Sequence, residues 1–149
     1  MREQFSEGLK TALKARDQRR TATLRAITAA IKDKDIAIRT ENRGPATNEE
    51  VLAIIQKMVK QREESFAIYA QAGRADLATV EKEEIDILNE FLPRALTDDE
   101  VAAAIQAAIA TTGASSAKDM GKVIAQLKAD YPGRIDFGKA SGKVKAALG

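Results

Sequence analysis

The sequence contains neither cysteine nor histidine among its 149 residues. Without thiols, neither a disulfide framework nor a thiolate metal site can form. Without imidazole, the chain lacks the commonest general base near neutral pH and the commonest zinc ligand, which excludes Ser–His–Asp triads and zinc hydrolysis. Any catalysis would have to use carboxylates, lysine or backbone groups. We therefore expect no cofactor and no metal.

Proline is scarce and long apolar runs are absent. Only 3 prolines occur, and apolar residues make up 44% and charged residues 31% of the chain, which is typical of a soluble, helical protein. No run approaches the roughly 18 apolar residues that span a bilayer, and the charged start lacks the apolar core of a signal peptide. We expect a cytoplasmic protein that does not bind membranes.

Apolar spacing and helix-capping residues predict seven helices and no strands. Four of them occupy residues 1–93 and include a hairpin of two long helices, while three shorter ones occupy residues 94–149. Thr47 and Glu50 have the spacing of a capping box for the third helix, and Asp76 is placed to cap the fourth. The predicted fold class is all-α, with an N-terminal four-helix domain and a small C-terminal three-helix domain.

One arginine lies within an apolar helical stripe. Helical phasing surrounds Arg62 with apolar residues of the third helix, namely Val51, Ile55, Met58, Phe66 and Tyr69. On the fourth helix Glu81 and Glu84 fall among leucines. The short connection makes the two helices antiparallel neighbours, which brings Arg62 level with Glu84 and Tyr69 near Glu81. We interpret Arg62, Glu81 and Glu84 as a structural ion network, because arginine keeps a nearby carboxylate ionised. The alternative is an active site that uses carboxylates whose pKa is raised in apolar surroundings.

Charge is unevenly distributed along the chain. Residues 1–43 carry 11 lysines and arginines against 6 acids, residues 44–93 carry 5 against 10, and residues 113–149 carry 7 against 3. A molecule with one side facing a polyanion would show this asymmetry. Complementary charges between packed helices would explain it equally well.

Two groups of cations are candidates for contacts with nucleic-acid phosphates. Arg25, Lys32 and Arg39 recur at heptad spacing along one edge of the second helix. The second group surrounds the C-terminal helices and consists of Lys118, Lys122, Arg134, Lys139 and Lys143. A solvated charged face is the alternative explanation for the first group.

Two further residues in the C-terminal region have open interpretations. Gly121, at the start of a helix, would permit close approach of a ligand to the helix N-terminus, or would mark a contact between crossing helices. Tyr131 could stack on an unpaired base, or form the rim of the small core.

Several motifs, taken in order along the chain, resemble the YqeY family. They are Leu24-Arg25, Ala29-Ala30-Ile31-Lys32, Lys57-Met58-Val59-Lys60-Gln61-Arg62, Glu64-Ser65, Ala72-Gly73-Arg74, Asp76-Leu77, Glu81, Glu84, Phe91-Leu92-Pro93 and Lys118-Asp119-Met120-Gly121-Lys122. That family is similar to the C-terminal helical and tail regions of GatB, a component of the glutamine-dependent aspartyl/glutamyl-tRNA amidotransferase. The resemblance implies an all-helical N-terminal domain, a small three-helix tail domain, and recognition of tRNA by the tail.

The resemblance also implies a carbon–nitrogen ligase activity with glutamine as the amido-nitrogen donor. The catalytic domains of that enzyme have no counterpart in this chain, so we expect no catalytic residues and a non-catalytic, tRNA-binding or translation-associated accessory protein. Its expected partners are tRNA or another structured RNA and a protein of the translation machinery, and we expect a monomer. Two alternatives stay open: an adaptor that docks on an amidotransferase, synthetase or ribosomal component, and an independent enzyme that uses Lys57, Glu81 and Glu84.

Overall fold

The computed structural model describes residues 1–149 and contains seven α-helices and no strands. The helices are α1 (Arg2–Lys14), α2 (Gln18–Ile38), α3 (Asn48–Gln71), α4 (Ala75–Asn89), α5 (Asp98–Thr112), α6 (Met120–Asp130) and α7 (Phe137–Leu148). The all-α fold class predicted from the apolar spacing is confirmed. None of the helices combines the length and the apolar character needed to cross a bilayer.

The chain divides into two compact units. The first unit, Met1–Leu92, contains α1 to α4, and the second unit, Pro93–Gly149, contains α5 to α7. Each unit buries its own cluster of apolar side chains. Whether residues 1–93 and 94–149 fold as separate domains stays a prediction.

The core of the first unit is built from one face of each of its four helices. Leu24 of α2, Ile55 of α3 and Leu88 of α4 are completely buried. Phe5 of α1 closes this core, and its ring centroid lies 5.0 Å from that of Phe91, just beyond α4. Because burying such a side chain contributes about 1.5–3 kcal/mol, this shared cluster holds the four helices together.

Capping explains where α3 begins, and it corrects the prediction for α4. The Thr47 hydroxyl accepts a hydrogen bond from the backbone N–H of Glu50, and the Glu50 carboxylate accepts one from the backbone N–H of Thr47. The predicted capping box is therefore confirmed. The prediction that Asp76 caps α4 was wrong. Gly73 adopts a φ of +72°, the chain turns sharply there, and α4 begins at Ala75, which places Asp76 in the first turn.

The second half of α3 is less covered than its apolar stripe predicts. The buried residues of this helix all lie between Val51 and Val59. Phe66, expected on the buried face, remains 37% exposed. The stripe therefore continues beyond the part of the helix that the core of the first unit covers.

The second unit packs three short helices around small and branched side chains. Ile105 of α5, Val123 and Leu127 of α6 and Val144 of α7 are almost completely buried. Helix α5 ends at Thr112 and is capped by Gly113, which adopts a φ of +69°. This unit has fewer large apolar side chains than the first unit, so its stability depends more heavily on caps and turns.

Candidate nucleic-acid interface

A clamp of opposite charges joins α3 to α4. The Nε of Arg62 donates to Oε2 of Glu84 at 2.7 Å, and the two side chains are only 19% and 17% exposed. A second donation runs from Nη1 of Arg62 to the carbonyl of Met58 at 3.4 Å. Arg19 of α2 approaches Glu84 at 3.9 Å. Glu81, by contrast, makes no ion pair or hydrogen bond, so the structure brings together two members of the predicted network and leaves the third outside.

A second ion cluster, not found by the sequence analysis, ties α1 to α2 and to the loop before α3. The carboxylate of Asp35 accepts two hydrogen bonds from Arg2, both at 2.8 Å, and one from the backbone N–H of Ala46 at 2.8 Å. These hydrogen bonds, chiefly those from Arg2, lower the pKa of Asp35 from 3.8 to about 2. No local pattern signals this cluster, because Arg2 and Asp35 lie 33 residues apart.

The cations predicted along the edge of α2 are exposed and without ion-pair partners. Arg25, Lys32 and Arg39 have no carboxylate within 4.0 Å. The positive charge of Arg39 nevertheless contributes to the lowered pKa of Asp35. Their spacing extends over roughly 21 Å of helix axis. Neighbouring Arg20, in contrast, is held by a two-bond contact to Glu90 at 2.6 and 3.3 Å. The edge therefore presents three positive charges that no intramolecular pairing accounts for.

The lysines predicted in the second unit are largely available to an external anion. Lys118 and Lys139 are exposed and have no ion-pair partner. Lys122 and Lys143 are exposed and each reaches one aspartate, at 3.9 and 3.4 Å; the partner of Lys143 is fully exposed and that of Lys122 is 25% exposed. Exposed pairs contribute only about 0–1 kcal/mol, so a phosphate could replace either aspartate at little cost.

Arg134, also predicted to contact phosphate, is engaged within the second unit. Its Nε donates to the carbonyl of Arg94 at 2.9 Å, and its own carbonyl accepts from the N–H of Leu96 at 2.9 Å. The guanidinium carbon lies 5.9 Å from the ring centroid of Tyr131. Tyr131 in turn packs against the small core. This arrangement favours the interpretation of Tyr131 as a rim residue and gives Arg134 a structural part.

The start of α6 is open to solvent. A Cβ added to Gly121 would meet no atom within 4 Å, so this glycine is not required by a crossing helix. Just before it, the carboxylate of Asp119 accepts from the backbone N–H of Ser115 at 3.0 Å, a contact that lowers the pKa of Asp119. The approach of a ligand to Gly121 is sterically unhindered and stays a prediction.

Comparison with known proteins adds a family and a set of relatives. The sequence model of the Yqey-like protein family matches residues 2–148. The relatives include the Altered inheritance of mitochondria protein 41, mitochondrial, of Kluyveromyces lactis, which is 31% identical over 147 residues, covering 96% of this chain and 73% of that protein. Proteins with the same name from Clavispora lusitaniae and Saccharomyces cerevisiae are 33% and 29% identical over 84 residues. Those two matches cover 56% of this chain but only 46% and 44% of the relatives, so the chain spans about half their length.

Proposed function

This chain belongs to the Yqey-like protein family, and on that premise we propose that it is an accessory protein of translation that binds tRNA through its second unit. The observation that carries the proposal is the availability of the lysines in residues 113–149. Lys118 and Lys139 have no ion-pair partner, and the exposed side chains of Lys122 and Lys143 each reach a single aspartate, at 3.9 and 3.4 Å. A segment with 7 cations against 3 acids attracts a polyanion.

Contacts of this kind bind the phosphate backbone and do not read a base sequence. Lysine is a point charge on a flexible stem, so four such lysines would recognise a structured RNA by its phosphates and shape. Each neutralised phosphate releases counterions, and affinity then falls with salt at a logarithmic slope of about −0.9 per contact. Four contacts would make binding roughly 150-fold weaker at 200 mM salt than at 50 mM salt.

The first unit supplies a second candidate contact and a scaffold. Its exposed stripe of Arg25, Lys32 and Arg39 has the same character as the lysines of the second unit. The Arg62–Glu84 clamp, in contrast, pairs two opposite charges within the helical hairpin. We therefore assign the clamp a structural part and propose no reaction for it. The cytoplasmic location stays a prediction, and the names of the relatives state that those proteins are mitochondrial.

Fluorescence anisotropy with labelled tRNA over a salt series tests this function. The variant with Lys118, Lys122 and Lys139 all replaced by alanine should bind at least tenfold more weakly at 50 mM salt, and its salt slope should be shallower by about 2.7. The matched control replaces Lys10, Arg74 and Lys82, which are ion-paired in the first unit, by alanine.

The control removes the same net charge from the chain but leaves the second unit intact. It should therefore retain most of the wild-type salt slope. Absence of binding by the wild-type protein at 50 mM salt would refute the proposal. Equal losses in the two triple variants would show that only net charge matters and would refute the assignment to the second unit.

A further inference from the structure

The tip of the α3–α4 hairpin contains an apolar groove that faces solvent. The groove encloses about 400 Å³, and its apolar lining includes Phe66 and Ala70 of α3 and Ala75 and Ala78 of α4. Lys82 and Glu83 of α4 are its charged lining residues. This volume lies toward the lower end of the roughly 300–1,000 Å³ typical of ligand pockets. Small residues on both helices leave room beside the exposed ring of Phe66, so the groove can receive large apolar side chains.

Helical phase places two further acidic residues beside the groove lining, whose own charged members are Glu83 and Lys82; Lys82 pairs with Asp86 at 3.1 Å. Glu63 lies two turns before Ala70 on the same edge of α3, and Asp76 lies two turns before Glu83 on the same edge of α4. Glu63 has no ion-pair partner. Asp76 and Glu83 each pair with one arginine, at 3.2 and 3.0 Å, through contacts that are open to water and weak.

The whole hairpin tip carries a negative charge. Residues 62–86 contain 3 cations and 7 acids, a net charge of −4, and all three cations are already paired with carboxylates. Glu63, Glu64 and Glu81 are left unpaired. This field repels a nucleic-acid backbone. It also opposes pairing of two copies through this tip, because identical acidic edges would face each other.

We propose that this groove binds an amphipathic helix of a partner protein whose apolar face is flanked by lysine or arginine. The apolar side chains enter the groove beside Phe66, and the flanking cations reach Glu63, Asp76 and Glu83. A helix lying in an apolar groove is a recurring mode of peptide recognition, in which the edge charges set orientation and specificity. This inference is independent of RNA binding, which the acidic tip does not favour.

The test is a titration of the full-length, 15N-labelled protein with a synthetic amphipathic helical peptide of about four turns, with leucines on one face and lysines on the other. Amide shifts should concentrate between residues 66 and 83, and binding should weaken as salt rises. A control peptide carries glutamate in place of every lysine. No binding, shifts concentrated elsewhere, or equal binding of the acidic peptide would overturn the proposal.

Two pairs of variants separate apolar from electrostatic recognition. Ala70→Glu should weaken binding at least tenfold by placing a carboxylate in the groove, whereas charge alone would make this variant bind the basic peptide more tightly. Ala53→Glu adds the same charge to the same helix about 25 Å away and should leave affinity within twofold. All the substituted positions are exposed, so the fold should be retained, as circular dichroism would verify.

The edge charges are tested by reversal. Glu63→Lys should weaken binding by about threefold to tenfold, because a favourable rim charge becomes a repulsive one. The control, Glu64→Lys, changes the net charge equally but projects about 100° away around the helix, and it should have the smaller effect. Equal effects of Ala70→Glu and Ala53→Glu, or of Glu63→Lys and Glu64→Lys, would refute binding in this groove.

Discussion

Replacing Glu84 by glutamine should destabilise the first unit, whereas the same replacement at Glu81 should have little effect. Glu84 lies 2.7 Å from Nε of Arg62, with both side chains less than one-fifth exposed, while Glu81 has no partner. Opposite charges about 4 Å apart attract by about 4 kcal/mol at an effective dielectric constant of 20. Desolvation and residual contact with water offset much of that attraction, so we expect a net loss of about 1–2 kcal/mol for Glu84→Gln. Glu81→Gln should stay within about 0.5 kcal/mol.

Urea unfolding followed by far-ultraviolet circular dichroism measures the loss, and hydrogen exchange of peptides from α3 and α4 locates it. Between unfolding of the first unit alone and joint unfolding of all 149 residues, a loss of 1–2 kcal/mol corresponds to a melting temperature lower by about 2–16 °C. A double-mutant cycle with Arg62→Met should give an interaction energy of about 1 kcal/mol. Equal losses for Glu84→Gln and Glu81→Gln, or an interaction energy near zero, would refute the clamp as the contact that holds the two helices in register.

Three further substitutions test local features. Asp35→Asn should speed hydrogen exchange around Arg2 and Ala46. Because folding lowers the pKa of Asp35 from 3.8 to about 2, the wild-type protein should be more stable than this variant above about pH 4. That stability advantage should vanish as pH falls toward 2. An advantage that persists unchanged to pH 2 would contradict this account. Gly113→Ala should lower stability by about 1 kcal/mol, because its φ is +69°. Gly121→Ala, in a helix facing open space, should raise stability by about 0.5 kcal/mol in thermal denaturation, and a loss there would show an unseen constraint.

The candidate site was only partly accessible from the sequence. Charge and position identified Lys118 and Lys139, which the structure shows to be exposed and unpaired. The same reasoning placed Arg134 beside them, although its guanidinium is engaged with Arg94 and Tyr131. A sequence shows that a cationic side chain is present. It does not show whether that side chain already binds a carbonyl oxygen or packs on an aromatic ring, because those partners come from distant segments.

The hairpin shows the same limit in its apolar residues. Helical phasing placed Phe66 on the stripe that faces the core, and the phase is correct for Val51 and Ile55. Phase gives the direction of a side chain but not the length of helix that neighbouring elements cover. The exposed groove beside Phe66 arises from that incomplete coverage, so only the packed structure could show it.

By itself, the sequence determined the all-α class, the seven helices and the capping box at Thr47, because helical period and capping act between residues a few positions apart. Tertiary structure decided which charges meet. The pairing of Arg62 with Glu84 agrees with the antiparallel register expected from the short connection, but only the structure shows that Arg19 also approaches Glu84 and that Arg2 joins Asp35 across 33 residues. Those contacts depend on how the helices pack and on which backbone N–H and C=O groups lie near each charged side chain. Short-range sequence patterns do not contain that information.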